Sequence, residues 1–328
     1  MTLVKLSRTL PRIGWIGFHM EGVPAFWGLL EEGIPIQAFI TLREDLMAKR
    51  SGGSNRYKAL CKRYRIPYYE VGNINDEESV ALLRSLDLDV VFVIGWSQII
   101  RREALSSVKI GMIGAHASLL PHNRGSAPIN WAMIKGETIS GNTLMWLNDG
   151  VDEGDIIDQM PFPITLYDTC ATLYDKVAES NRVMITQLIP RLSEGRKTGA
   201  IQSDCDEPVL PRRRPQDGAI DWSQSSRQIY NFIRALTKPY PGAFSSLNGR
   251  KWTIWGCTEL PAPCGAGAKP GQIVGPVYSP QPRSCGYVVA CGEGAVIIHE
   301  LESADGDEFT GGNVHELQLE GIFNEQSR

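Results

Sequence analysis

Paired cysteines are missing from this chain. Seven cysteines are spread over 328 residues (Cys61, Cys170, Cys205, Cys257, Cys264, Cys285 and Cys291), and no two stand in a CxxC pair. An odd count without paired spacing excludes a disulfide framework and any zinc site of recognisable motif, so no metal is expected. Reduced thiols in a cytoplasmic protein are the simplest account. Long apolar runs are also absent. None reaches membrane-spanning length, and Arg8, Arg12 and two glycines interrupt the N-terminus where a signal core would lie. Excess positive charge is lacking too. The formal net charge is -4, which gives no global attraction to nucleic acid or anionic membrane. Basic runs such as Arg212-Arg213-Arg214 are short and read as solvated linker. Gly14-Trp15-Ile16-Gly17 falls short of the dinucleotide glycine fingerprint. The chain has no internal repeat and no low-complexity segment.

What remains is an ordinary globular composition, 42% apolar and 21% charged, long enough for two domains. Over the first two hundred residues short apolar runs alternate with amphipathic ones. Strands are expected at 12–18, 34–41, 67–70, 89–95, 109–116, 143–147 and 155–160. Helices are expected at 24–32, 55–65, 75–86, 127–135 and 169–194. Asp89-Val90-Val91-Phe92-Val93-Ile94-Gly95 is nearly all apolar, as a strand buried on both faces requires. Strands alternating with helices predict an α/β unit, a Rossmann-like parallel sheet with helices on both faces. Domain boundaries follow from composition: 1–203, a Pro/Asp/Arg-rich linker at 204–218, and a smaller β-rich, open-barrel-like domain at 219–328 with a helix at 226–236.

Chemistry concentrates between Gly111 and Asp155. His116 ends an apolar run and precedes a loop punctuated by Pro121 and Gly125, and Gly150-Val151-Asp152-Glu153-Gly154-Asp155 follows some thirty residues later. In open α/β sheets ligands bind at the carboxyl ends of strands. A histidine and a carboxylate converging there can run proton transfer near neutral pH. His19, His299 and His315 lack such a setting and read as packed or surface imidazoles.

These residues match a family. Ser118-Leu119-Leu120-Pro121 with Arg124-Gly125, then Pro128, Trp131-Ala132 and the Asp152 loop, resembles the formyltransferases that use 10-formyltetrahydrofolate. Gly95-Trp96-Ser97-Gln98 is similar to the corresponding segment of sugar and small-amine formyltransferases. Residues 215–222 and 234–244 resemble the start of the C-terminal domain in methionyl-tRNA and aminoarabinose formyltransferases, so the resemblance covers nearly the whole chain. It implies that a primary amine attacks the formyl carbon of the folate, that a tetrahedral oxyanion forms, and that tetrahydrofolate leaves. By resemblance His116 acts as base or oxyanion donor, and Asp152 orients it and relays protons.

The third member of the family's site is an asparagine two residues before the histidine, and here that position is Gly114. Two residues along a strand is the same face, so the missing amide would have pointed into the same cleft. In acyl-transfer enzymes one lost oxyanion donor costs roughly 2.7–4 kcal/mol of barrier. Three readings stand. Asn123, Asn142 or Gln98 substitutes as donor, the glycine makes room for a water or acceptor, or turnover is weakened or lost. The resemblance also implies a folate site walled by Phe92, Ile94, Trp96, Ile99, Leu119 and Leu120, with Asp149 on the pterin side. For Phe92 and Ile94 ordinary strand core is the stronger reading.

The acceptor is read from what residues 42–56 lack. Methionyl-tRNA formyltransferases carry a basic, glycine-rich PxGRGKK-like run there. Here Arg43, Lys49, Arg50 and Arg56 are mixed with Glu44 and Asp45. The expectation is N-formyl transfer from the folate co-substrate to a small-molecule amine, first a nucleotide-linked amino sugar, without nucleic acid or membrane as partner. The alternatives are tRNA formylation, and a folate- or nucleotide-binding homologue without turnover. The C-terminal domain is open to substrate binding, a homodimer contact, or capping of the long helix.

Overall fold

The computed structural model describes residues 10–50, 52–194, 197–260, 267–281 and 285–324, with the His315 side chain outside that set. The chain divides into two compact units. The first comprises Met1–Pro128, Ile139–Pro163 and Tyr174–Leu210, and the second Ile129–Thr138, Ile164–Leu173 and Pro211–Arg328.

The elements of the first unit are β1 (Ile13–Ile16), α1 (Val23–Glu31), β2 (Ile36–Leu42), α2 (Glu44–Met47), α3 (Arg56–Tyr64), β3 (Tyr68–Val71), α4 (Glu77–Ser85), β4 (Val90–Val93), α5 (Arg102–Leu105), β5 (Gly111–His116), β6 (Ile139–Trp146) and β7 (Ile156–Pro163). Between β5 and β6 runs α6 (Pro128–Lys135), nearly all of it in the second unit, and α7 (Cys170–Leu192) joins the first unit from Tyr174 onward. The sheet order is β3-β2-β1-β4-β5-β6-β7. The five strands from β3 to β5 are parallel, and β6 and β7 pair antiparallel. The fully parallel sheet expected from the alternation is therefore a mixed one. A parallel neighbour needs a crossover that carries the chain back along a sheet face. Helix α6 packs in the other unit instead, so the chain re-enters beside the end it left, with Thr143 opposite His116.

Strand alternation sorts the side chains onto two cores. Trp15, Phe39, Phe92, Ile94 and Ile113 face α1, α3 and α7. Ile16, Val91, Val93 and Met112 face α4 and α5. Full burial of a side chain such as Phe92 stabilises by roughly 1.5–3 kcal/mol. The expected start of α4 is realised: the Asp76 carboxylate accepts the Ser79 N–H at 2.8 Å, and Glu77 and Glu78 fill the first turn.

The second unit holds α8 (Ser226–Leu236), β8 (Ala243–Leu247), β9 (Arg250–Leu260), β10 (Ile273–Val277), β11 (Gly286–Ala290), β12 (Ala295–Ser303) and β13 (Glu308–Thr310). The order β10-β11-β12-β9-β8, with β13 on β12, leaves an open antiparallel sheet among the described residues. Ile229, Ile233 and Leu236 of α8 pack with Trp252, Ile254, Val289 and Ile298. A Ser225–Gln228 capping box starts α8. No helix among the described residues is long and apolar enough to cross a membrane.

Candidate active site

On β5 the pleat puts Met112, Gly114 and His116 on one face. Beyond His116 the loop turns back on itself through left-handed residues, with φ 56° at Asn123 and 107° at Gly125. This return brings the Asn123 carbonyl to 2.8 Å from His116 Nε2. The loop is stitched to β6 and β7. Thr143 Oγ1 donates to the Ser118 carbonyl at 2.6 Å and accepts the Leu120 N–H at 3.1 Å. The Gln159 amide donates to the Leu120 carbonyl at 2.8 Å. Ser118 spends its hydroxyl on the His122 carbonyl, at 2.7 Å.

The Asp152 loop leaves β6 after Trp146 and doubles back over the same face of β5. Gly154 makes this possible, since a Cβ there would lie 1.6 Å from the Trp146 carbonyl oxygen. Asp152 itself sits at φ 56°, a region aspartate tolerates. Its Oδ2 accepts the Gly125 N–H at 2.9 Å and stands 3.4 Å from His116 Nδ1. The Gln202 amide donates to the carbonyls of Asp152 and Gly154, both at 2.8 Å. His116 is buried, with 7% of its surface exposed, so its ring polar atoms need partners.

A carbonyl only accepts, so His116 Nε2 carries a proton toward Asn123. The other ring nitrogen faces a carboxylate oxygen that already accepts from Gly125. A proton on Nδ1 satisfies that pair as well. The arrangement thus accommodates an imidazolium ion-paired with Asp152, whose Nε2–H reaches developing negative charge when it leaves the Asn123 carbonyl.

A second titratable pair lies at the carboxyl end of β1, at the switch point between β1 and β4 where such sheets bind ligands. His19 Nδ1 stands 3.3 Å from Glu21 Oε2. Both side chains lie over Gly95, where a Cβ would meet His19 Cβ at 2.5 Å and Glu21 Cγ at 3.4 Å. Burial by itself would lower the His19 pKa, but the Glu21 carboxylate outweighs it and the pKa is raised. Gly95 follows β4, and β5 lies on its far side. At about 4.8 Å per strand spacing, His19 and His116 stand roughly 10 Å apart at backbone level.

Comparison with known proteins shows the family of the chain. The Formyl transferase family model matches residues 33–189, and the model for the formyl transferase C-terminal domain matches residues 213–315. The chain is 33% identical over 295 residues to "Methionyl-tRNA formyltransferase" of Geobacillus sp. (strain WCH70), covering 89% of this chain and 90% of that one. This chain belongs to the formyltransferase family. Among solved structures, HypX from Aquifex aeolicus in complex with tetrahydrofolic acid matches at TM-score 0.65 and 17% identity, over 96% of this chain but 48% of HypX. The N-formyltransferase from Helicobacter canadensis, in complex with folinic acid and dTDP-3-aminofucose, matches at TM-score 0.63 and 19% identity, over 88% and 98% of the two chains. At these identities the two structures speak for the fold.

Among the residues singled out from the sequence of this formyltransferase, the fold brings His116, Asp152 and Asn123 together, with Leu119 and Leu120 on the same loop. Others are held elsewhere. The Asn142 amide donates to Asn181 Oδ1 at 2.7 Å and to Ser180 Oγ at 2.9 Å, on the face opposite His116. Its strand neighbour Thr143, not Asn142, shares the face of His116. Gln98 is used up locally, accepting from the Ile74 N–H and donating to the Gly72 carbonyl, each at 2.9 Å. Neither stands in for the family's asparagine. Phe92 and Ile94 are fully buried in the opposite core, so they are core and not folate wall. Asp149 is exposed and paired with Arg102 at 2.8 Å. Trp96 is half-buried against Phe18, and its indole N–H is buried without a partner. Ile99 is exposed.

The space in front of Gly114 is taken by Leu147. A Cβ built there would lie 2.6 Å from Leu147 Cδ2. Gln159, Gln202 and Glu207 support the site without having been read from the sequence. Glu207 lies in the stretch that reads as linker and Gln202 just before it, and nothing local marks them.

Proposed function

We propose that the chain moves the formyl group of 10-formyltetrahydrofolate to the primary amine of a small molecule. The observation that carries this reading is the buried His116–Asp152 pair, held from both sides by the 116–125 loop and the doubled-back Asp152 loop. The orphaned Trp96 indole N–H, in the half-buried segment after β4, is a fitting donor for a heterocyclic donor molecule. When bound, that molecule supplies the formyl group and a leaving nitrogen. His116, protonated on both ring nitrogens, turns its Nε2–H from the Asn123 carbonyl to the oxygen that gains charge, while Nδ1–H stays on Asp152. Asp152 holds the ring and accepts the proton that the amine gives up, directly or through a water; as the bond between the formyl carbon and the folate nitrogen breaks, that proton passes to the departing nitrogen and tetrahydrofolate leaves.

Supporting a small acceptor is the way residues 52–54 are tied down over the crevice. The Met20 N–H donates to the Gly52 carbonyl at 2.8 Å, and the Ser54 N–H to the Phe18 carbonyl at 2.9 Å. Arg43 is paired with Asp45 at 3.3 Å rather than displayed in a basic run. The identity to a methionyl-tRNA formyltransferase favours a second reading, with tRNA as acceptor.

Release of tetrahydrofolate from 10-formyltetrahydrofolate, followed against nucleotide-linked amino sugars, small amines and methionyl-tRNA, tests both. Turnover with an amino sugar or small amine, abolished in His116→Ala, is the expected result. Turnover with methionyl-tRNA alone, weakening steeply with salt, would establish the second reading instead.

A further inference from the structure

His122, on the loop that follows His116, comes together with Cys205 and Glu207, 83 and 85 residues further along the chain. One ligand atom from each, a ring nitrogen, the thiol sulfur and a carboxylate oxygen, lies within 4.8 Å of the other two. His122 Nδ1 is 2.7 Å from Glu207 Oε1. We propose that these three residues form a binding site for a zinc-class divalent cation, and that the bound ion braces the loop carrying His116.

The donor set selects the ion. A thiolate, an imidazole and a carboxylate suit a borderline-soft cation such as Zn2+ and not a hard one such as Mg2+. Bond lengths of about 2.0–2.3 Å place tetrahedral ligands roughly 3.3–3.8 Å apart, and the three ligand atoms, all within 4.8 Å of one another, lie near that spacing. An exposed His–Glu pair alone is an ordinary surface contact. The thiol changes its meaning. Cys61, Cys170, Cys257, Cys285 and Cys291 are buried, and Cys205 is the one described cysteine that is not. Asp204 and Asp206 flank it and add negative charge. Three protein ligands leave a fourth position for water, as in open zinc sites.

Loading is a coordination step with no redox change. The Cys205 thiol gives its proton to solvent, His122 binds as neutral imidazole, and thiolate and carboxylate balance the two positive charges. Affinity therefore rises with pH. The link to the active site is short. Glu207 Oε2 accepts the Asn123 N–H at 3.3 Å, and the Asn123 carbonyl accepts from His116 at 2.8 Å. An ion that fixes Glu207 fixes Asn123.

The test uses the full chain and the metal alone. Zn2+ is titrated against a chromophoric competitor, and Co2+ is used to read a sulfur-to-cobalt charge-transfer band. Cys264 lies outside the described residues, so both titrations are repeated in Cys264→Ser. The expected result is one equivalent of Zn2+ bound in either background, a charge-transfer band with Co2+, and a raised unfolding temperature. His122→Ala, at an exposed position that leaves the fold intact, weakens Zn2+ binding by at least about 10-fold, and Cys205→Ser abolishes the cobalt band. Zn2+ that stays free at large excess over the chain, or one that binds equally well to His122→Ala and Cys205→Ser, would overturn the proposal. Circular dichroism of the metal-free variants separates lost binding from lost folding. None of these readings depends on which amine is formylated.

Discussion

Leu147 Cδ2 lies 2.6 Å from where a side chain at Gly114 would begin. The two residues fit each other, because the Leu147 side chain lies where a Cβ on β5 would be. Gly114→Asn therefore does more than add an amide. It pushes Leu147 away and strains the path to Asp152. Overpacking of this kind costs typically about 1–3 kcal/mol. Adding Leu147→Ala should recover part of that loss, so the double variant is more stable than the sum of the singles predicts. A double-mutant cycle by denaturant unfolding measures it, and strict additivity would show that the two side chains do not meet.

Asp152→Asn keeps the shape of the site and removes the charge beside His116 Nδ1. Formyl transfer should fall by roughly 10²–10⁴-fold, the usual weight of a positioned acid–base group. Folding stability should change little by comparison. Tetrahydrofolate release under saturating donor is the measurement, and a rate within a factor of about two of wild type would remove Asp152 from the mechanism.

His19 gives a pH-dependent signature. Its folded pKa is raised above the ordinary imidazole value, because the Glu21 carboxylate outweighs burial. A raised pKa means that the pair stabilises fully below about pH 6.5, and that this contribution fades as pH rises through the higher folded value. Glu21→Gln removes the cause. The variant should lose stability on the acid side and approach wild type at alkaline pH. Denaturant midpoints across this range decide it, and a difference independent of pH would place the effect elsewhere.

The buried thiols should be inert. Burial pushes Cys61 and Cys170 up to about 12, and Cys257 higher still. Thiolate is the reactive form, so in the native chain a thiol reagent near pH 8 should leave these three unmodified while labelling Cys205. Mass mapping of the labelled peptides checks this. Rapid labelling of Cys61 or Cys170 would mean that their cores open readily.

The alternation of apolar and amphipathic runs determined most of the first unit, because a sheet covered on both faces imposes an apolar strand of limited length and a helix to return. Strands at 89–95 and 109–116 and the long helix from 169 are there within a few residues. The histidine, the glycine-flanked acid and the punctuated loop were legible as a site for the same local reason: their turns need Gly, Asp and Asn at left-handed positions. Pairing direction was not legible. Whether β6 runs parallel or antiparallel depends on where α6 packs, and no residue in α6 announces that.

The supporting shell was equally hidden. Asn142 and Gln98 looked like donors because they carry amides near the right place in sequence, but the pleat turned Asn142 to the far face and the backbone near Gly72 and Ile74 consumed Gln98. Residues 204–218 read as linker because they are polar and rich in turn formers, and Gln202 stands just before them. In the fold Gln202 reaches the Asp152 loop and Glu207 reaches Asn123. Sequence by itself determined the family, the candidate pair His116 and Asp152 and the glycine at position 114, since each is a matter of residue type at fixed local spacing. Only the tertiary structure decided that Leu147 occupies that position and that His122 meets Cys205, because a contact between distant segments depends on the path of every residue between them.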